Sequence, residues 1–274
     1  MEYSRKYRLE KTEKRGFSMI DEKFLRSIAA RENVSAGVIE KDYVLTWLLK
    51  AINQKTKKLV FRGGTALKKV YFPESWRYSE DIDFTSNNIK PEEIRSLLPE
   101  IYSIISEETG LKLSTKQFRA TKWNVVVKVA YTGPYGQKSF VKIDVNFREK
   151  LIEEPIEKEI KIIYPDCRNF SVIIYTLDEL LAEKIRSIIQ RGKTRDYYDV
   201  WMLLKTKKFD SKKLRELVAK KCKAVDVEFD IEKIFSKENF EAVKSYWKRG
   251  LGHLVMKELP NFEIVFEELK ELLE

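Results

Sequence analysis

"FRGGTALKKVYFPESWRYSEDIDFT", residues 61–85, places two glycines and two aspartates at opposite ends of a basic, aromatic-rich connector. Flexible backbone and adjacent carboxylates stand this close for a reason. In a strand, successive side chains point to opposite faces, so in "EDIDFT" Asp81 and Asp83 project together while Ile82 and Phe84 turn away. "VKIDVNF" repeats the pattern: Lys142, Asp144 and Asn146 share one face, and Val141, Ile143, Val145 and Phe147 share the other. Two such strands side by side would bring three carboxylates onto one face.

Neighbouring carboxylates repel and raise one another's pKa unless a cation intervenes. Hard oxygen ligands suit Mg2+, so Asp81, Asp83 and Asp144 are the expected metal ligands. Two such ions can activate an attacking oxygen and stabilise a leaving one in phosphoryl transfer, with an NTP as donor substrate. Gly63 and Gly64 then have a use, because backbone without Cβ atoms can approach a triphosphate, and Thr65 opens the helix that follows. "GGTALKK" lacks the GKS or GKT ending of a Walker loop. A lone D-x-D is commonly solvated and a lone Gly-Gly is commonly a turn. Together with strand-like flanks and a third acid downstream, they are much less accidental.

Outward from this centre, "MIDEKFLRSIAAREN" and "SAGVIEKDYVLTWLLKAIN" have helical spacing, the second with Ser35 as N-cap. "KLVF" reads as a short strand ending at the glycines. A helix is expected from Pro91 to Glu107, with proline in its first turn. "LKLSTKQF", "KWNVVVKVAYT" and "SFVKIDVNF" read as strands, the last two an antiparallel pair across "GPYGQK". From about residue 177 helices dominate. The expected organisation is an α/β domain with amino-terminal helices over residues 1–168 and a helical domain over 169–274.

At 274 residues, 43% hydrophobic and 35% charged, the composition is that of a folded chain rather than a disordered one. Fifty-three Lys and Arg against 43 Asp and Glu give +10, which favours a polyanionic partner without naming one. Two cysteines, Cys167 and Cys222, and one histidine, His253, make a zinc site a poor fit. The charged "MEYSRKYRLEKTEKRGF" lacks the apolar core of a signal peptide, and no stretch is long and apolar enough to span a bilayer. No membrane partner and a cytoplasmic location are expected.

"FRGGTALKKVY", "RYSEDIDF", "VKIDV" and "LDELLAEKIRSIIQRGKTRDYYDVWML" resemble the nucleotidyltransferase superfamily with the polymerase beta-like minimal fold, and within it the AbiEii toxins of type IV toxin–antitoxin systems. The resemblance covers roughly residues 35–206. It implies an α+β fold, with a polymerase beta-like nucleotidyltransferase lobe on a mixed or antiparallel sheet and a helical carboxy-terminal lobe. It also implies NMP transfer to an RNA 3′ end, best a tRNA, growth inhibition and a cognate antitoxin. By position, Lys184 would be the family's helical lysine and Asp196 or Asp199 its last acidic residue, alongside catalytic Asp81, Asp83 and Asp144. The expected nucleotide-binding set is Gly63, Gly64, Thr65, Lys68, Arg77, Ser79 and Lys184. Thr65 stands where many relatives carry serine.

The residues themselves allow rival readings. Lys184, Ile188, Arg191 and Arg195 fall at helical offsets that could aim cations at phosphate, or form a solvated face paired with Glu183 and Asp196. Trp76 and Tyr78 fit either connector packing or contact with a base, whereas "YYDVWMLL" reads as core. A transferase acting on a small aminoglycoside-like substrate, and an inactive RNA-binding or regulatory module, are the alternative functions.

Overall fold

The computed structural model describes residues 19–273. The expectation about a signal peptide falls on residues 1–18, outside that range. Two compact units divide the chain. One takes the described residues up to Phe147 together with Glu157–Ile174, and the other takes Arg148–Ile156 and the chain from Tyr175 onward. The cut expected after residue 168 therefore falls after Ile174, because the chain returns to the first unit to add two strands.

In the first unit, helices α1 (Glu22–Glu32) and α2 (Ala36–Lys55) lead into strand β1 (Leu59–Arg62). A helical turn, α3 (Gly63–Ala66), continues as a wider turn over Leu67–Tyr71. Next come β2 (Asp81–Ser86), helix α4 (Pro91–Thr109), and strands β3 (Lys112–Ala120), β4 (Asn124–Thr132), β5 (Lys138–Asn146), β6 (Ile156–Ile160) and β7 (Phe170–Ile174). The seven strands form one mixed sheet in the order β3-β4-β5-β2-β1-β7-β6.

The alternation read from the sequence sets the layers. Val125, Val127, Val129, Val141, Ile143, Val145, Ile82 and Phe84 are buried, and α2 and α4 pack on the sheet. Helix α2 is apolar nearly all round, with Tyr43, Val44, Leu45, Trp47 and Leu48 almost fully buried, as a helix enclosed by its neighbours requires. Its one buried glutamate, Glu40, accepts from the Tyr135 backbone N–H at 2.9 Å and from the Tyr131 hydroxyl at 3.3 Å, which ties the β4–β5 turn to the helix. Burial pushes that carboxyl above its ordinary value despite these donors.

The second unit holds α5 (Leu177–Arg191), α6 (Thr194–Thr206), α7 (Ser211–Ala224), a 3-10 turn (Ile231–Phe235), α8 (Lys237–Leu251) and α9 (Phe262–Leu273). Phe262 sits among Tyr197, Phe240, Trp247 and Phe266 in an aromatic centre. Glu179 accepts from the backbone N–H groups of Ile152 and Glu153 and pairs with the fully buried Lys221 at 2.6 Å. These bonds hold Arg148–Ile156 to the helices, which explains why that segment leaves the first unit. Among the described residues no helix is long and apolar enough to cross a membrane. Cys167 and Cys222 are both buried and free.

Candidate active site

β2 and β5 lie side by side and parallel, with Asp81 opposite Lys142, Ile82 opposite Ile143, and Asp83 opposite Asp144. The two alternating patterns are therefore in phase. Asp81 Oδ1 accepts from the Ser79 hydroxyl at 2.9 Å, and its Oδ2 lies 3.7 Å from Lys142 Nζ. The Thr65 hydroxyl donates to the backbone carbonyl of Asp81, fastening the start of α3 to the start of β2.

The glycines explain the opening stretch. Gly63 has φ +80°, a left-handed conformation that side chains disfavour, and a Cβ there would collide with Asp83 Oδ2. At Gly64 a Cβ would come within 2.9 Å of an Arg77 guanidinium nitrogen. Flexible backbone and carboxylate are thus packed directly on one another.

Arg77 is buried and donates to the Tyr78 carbonyl at 3.1 Å. Lys68 Nζ donates to the Pro73 carbonyl at 2.7 Å and lies 4.4 Å from the Tyr78 ring centroid. Burial lowers its pKa, although the negative charge of Asp42 opposes the shift. Lys68 lines a cavity of about 410 Å³ with Lys69, Asp42, Thr46 and Tyr164, a lining that does not include Asp81 or Asp83. Trp76 is fully buried and stacks on Phe72 at 4.9 Å, and Tyr78 is equally buried, so the packing reading holds for both.

Among the described residues no three acidic, histidine or cysteine side chains converge into a ready-made cation cage. Carboxylate oxygens on one face still suit magnesium, which is commonly held by one or two carboxylates with water and substrate phosphate completing its shell. Asp83 Oδ2 fills the place a Gly63 Cβ would take, so the glycine is what lets this carboxylate sit against the backbone on the face it shares with Asp81.

In the second unit Lys184 Nζ is 3.1 Å from Asp196 Oδ1 and 2.9 Å from Asp199 Oδ2. Both aspartates, three residues apart on α6, therefore address the same lysine. Arg191 adds a 3.0 Å contact to Asp196. Burial pushes the Asp196 carboxyl up, but Lys184 and Arg191 more than offset it and hold it below the ordinary carboxylate value. The reading that aims Lys184, Arg191 and Arg195 from one helix face does not hold: α5 ends at Arg191 with Gly192 as its cap, and Arg195 belongs to α6. Tyr197, Tyr198 and Val200 are buried, as the core reading of "YYDVWMLL" requires.

The family model for the nucleotidyl transferase AbiEii toxin of type IV toxin–antitoxin systems matches residues 47–272. The chain belongs to the AbiEii family. It is a toxin nucleotidyltransferase of that family, and its fold agrees. MenT4, a nucleotidyltransferase toxin from Mycobacterium tuberculosis H37Rv, superimposes with a TM-score of 0.71 at 16% identity, over 93% of this chain and 88% of that one. A proposed nucleotidyltransferase from H. pylori gives 0.58 at 18% identity, over 88% and 94%. An uncharacterised protein of Aquifex aeolicus (strain VF5) is 26% identical over 191 residues, 68% of this chain and 79% of its own length.

One contact of the candidate site escaped the sequence reading. Lys142 was placed on the face of Asp144, but its contact with Asp81 depends on the β2–β5 register, which no local pattern carries. A lysine two residues before the third acid, in phase with it, was the available signal.

Gly63→Ala should cost this AbiEii protein roughly 1–2 kcal/mol for the left-handed backbone alone, and should depress transfer further by displacing Asp83. Gly64→Ala meets only the flexible end of Arg77 and should be milder. Urea midpoints and transfer rates of the two variants check the order; equal effects would refute the Gly63–Asp83 packing.

Proposed function

We propose that the protein transfers a nucleoside monophosphate from an NTP to the 3′ hydroxyl of an RNA, with tRNA as the acceptor that fits best, in a Mg2+-dependent reaction in the cytoplasm that a cognate antitoxin restrains. The observation that carries this reading is the in-phase parallel register of β2 and β5, which sets Asp83 level with Asp144 beside the Cβ-free backbone of Gly63. Family membership supports an NTP substrate and an antitoxin partner. The net charge of +10 favours a polyanionic acceptor over a small cationic one.

Asp81 and Asp83 are the residues that would hold magnesium, whose role is to neutralise phosphate charge and organise the in-line displacement. Ser79 orients the Asp81 carboxylate, and Thr65 fixes the backbone from which it projects. The amides that follow Gly63 and Gly64 serve as donors to the triphosphate. Asp144, level with Asp83 on β5, would complete the magnesium-holding set and take the acceptor proton. The acceptor oxygen forms a bond to the α-phosphorus, the bond from that phosphorus to the bridging oxygen breaks, and pyrophosphate leaves.

Incubation with each labelled NTP and total RNA, with magnesium or with EDTA, tests the reading. Label should enter tRNA-sized RNA, depend on magnesium, and be lost after periodate oxidation of the terminal diol. Label that survives oxidation, or that enters only protein or a small molecule, refutes the RNA-end acceptor.

A further inference from the structure

The carboxylates share their face of the sheet with a broad run of cations. From the register, the side of β5 that carries Asp144 also carries Lys142, Phe140 and Lys138, and Lys128 on β4 is the cross-strand partner of Lys142. On β3, Arg119 pairs with Val126, the neighbour of Asp144 on β4, and so lies on the same face. The ladder shifts between Thr115 and Gln117, and the extra residue, Lys116, sends its ammonium to within 5.2 Å of the Phe140 ring centroid. Lys128 approaches the same ring at 5.8 Å. Phe140 is 47% exposed in the middle of this surface.

Two ordinary explanations fall short. Lysines on an edge strand discourage sheet-to-sheet pairing, which accounts for β3. It does not account for Lys128 and Lys142, because β4 and β5 are interior strands. Nor does solubility explain an exposed phenylalanine ringed by ammonium groups, since each cation would be solvated as well elsewhere. An aromatic platform amid positive charge is the chemistry that binds single-stranded nucleic acid, with bases stacking on the ring and phosphates meeting the cations.

We infer that this open face of β3, β4 and β5 seats the single-stranded 3′ segment of the acceptor RNA, with a base on Phe140 and phosphates on Lys116, Lys128 and Arg119. The inference rests on the RNA-acceptor reading above. Phe140 and Asp144 are four residues apart on one strand, about 14 Å. A base on Phe140 thus belongs to a nucleotide near the reacting end, and the strand runs along β5 toward the carboxylates. Lys142, which touches Asp81, closes the track at its catalytic end.

The test uses the full chain, a 5′-fluorescent single-stranded oligoribonucleotide, and a hairpin of the same length. Binding is followed by anisotropy as salt is raised, and labelling of the same RNAs is measured in parallel. Phe140→Ala should weaken single-strand binding by about tenfold to a hundredfold with no loss of thermal midpoint, because the ring is half exposed. Lys116→Gln combined with Lys128→Gln should lower the slope of log affinity against log salt by about 1.4, the release expected for two single-strand phosphate contacts. If the wild type binds and labels RNA but these variants do so equally well, the track is refuted while the transferase reading stands. Preference for the hairpin by the wild type also refutes the track. Absence of RNA binding and labelling by the wild type overturns both readings together.

Discussion

Asp83→Asn should abolish nucleotide transfer, lowering turnover by about a thousandfold or more, while the fold stays intact. The carboxylate is packed against Gly63 on one side and aligned with Asp144 on the other. Amidation keeps the shape and removes a negative charge that stands between Asp144 on β5 and Arg62 on β1, so a repulsion and an attraction are lost together. Thermal melting should therefore show a folded protein with a midpoint close to that of the wild type, and labelled incorporation should vanish. Asp81→Asn should behave alike. Asp144→Asn should be strongly impaired, since the proton of the acceptor hydroxyl then has no carboxylate to take it. Near-normal incorporation by the Asp83 variant would remove the aspartates from the chemistry, whereas a tolerant Asp144 variant would remove only the third member.

Lys184→Ala should destabilise the protein by about 3–5 kcal/mol, the usual consequence of removing one partner of a buried charge cluster. Asp196 and Asp199 are 2% and 0% exposed at their side chains, and without Lys184 both lose the ammonium they share, while Arg191 still pairs with Asp196. Adding Asp199→Asn should recover much of the loss. The pH dependence has a definite sign. Asp196 is held below its ordinary value in the folded protein, so its contribution is present above the unfolded carboxylate pKa of about 3.9 and fades as the pH falls through the folded value. The gap between wild type and Lys184→Ala should therefore narrow below about pH 4. Urea titrations across pH measure it. Unchanged stability with reduced turnover would instead mark Lys184 as a group that acts on substrate.

That second expectation could not have come from the sequence, where Lys184→Ala looks benign on a helix because Ala is the better helix former. The partners of Lys184 sit on the next helix, twelve and fifteen residues on, and burial decides the outcome. By contrast, β2 and β5 were legible because "DIDF" and "VKIDV" alternate charge with apolar bulk, and their phase follows once they are neighbours. The glycines were legible as a place of close approach, but the packing of Asp83 on Gly63 and of Arg77 on Gly64 is tertiary. β6 and β7 were not legible: "IEKEI" and "FSVII" are five residues each, too short to separate from loop by periodicity. Missing them displaced the expected boundary between the two units.

The place of β7 has a consequence for the protein during its own synthesis. β1 pairs in parallel with β7, Phe61 opposite Ile174, so the strand just before the glycines has one neighbour, β2, that emerges almost at once and another more than a hundred residues later. At ordinary elongation rates that interval is roughly ten seconds. Throughout it the nascent chain carries a buried-type strand, "LVFR", with one unsatisfied edge, the kind of template on which wrong strands pair. Ribosome speed and chaperone supply, more than native stability, should then govern how much of each translated chain reaches its finished form.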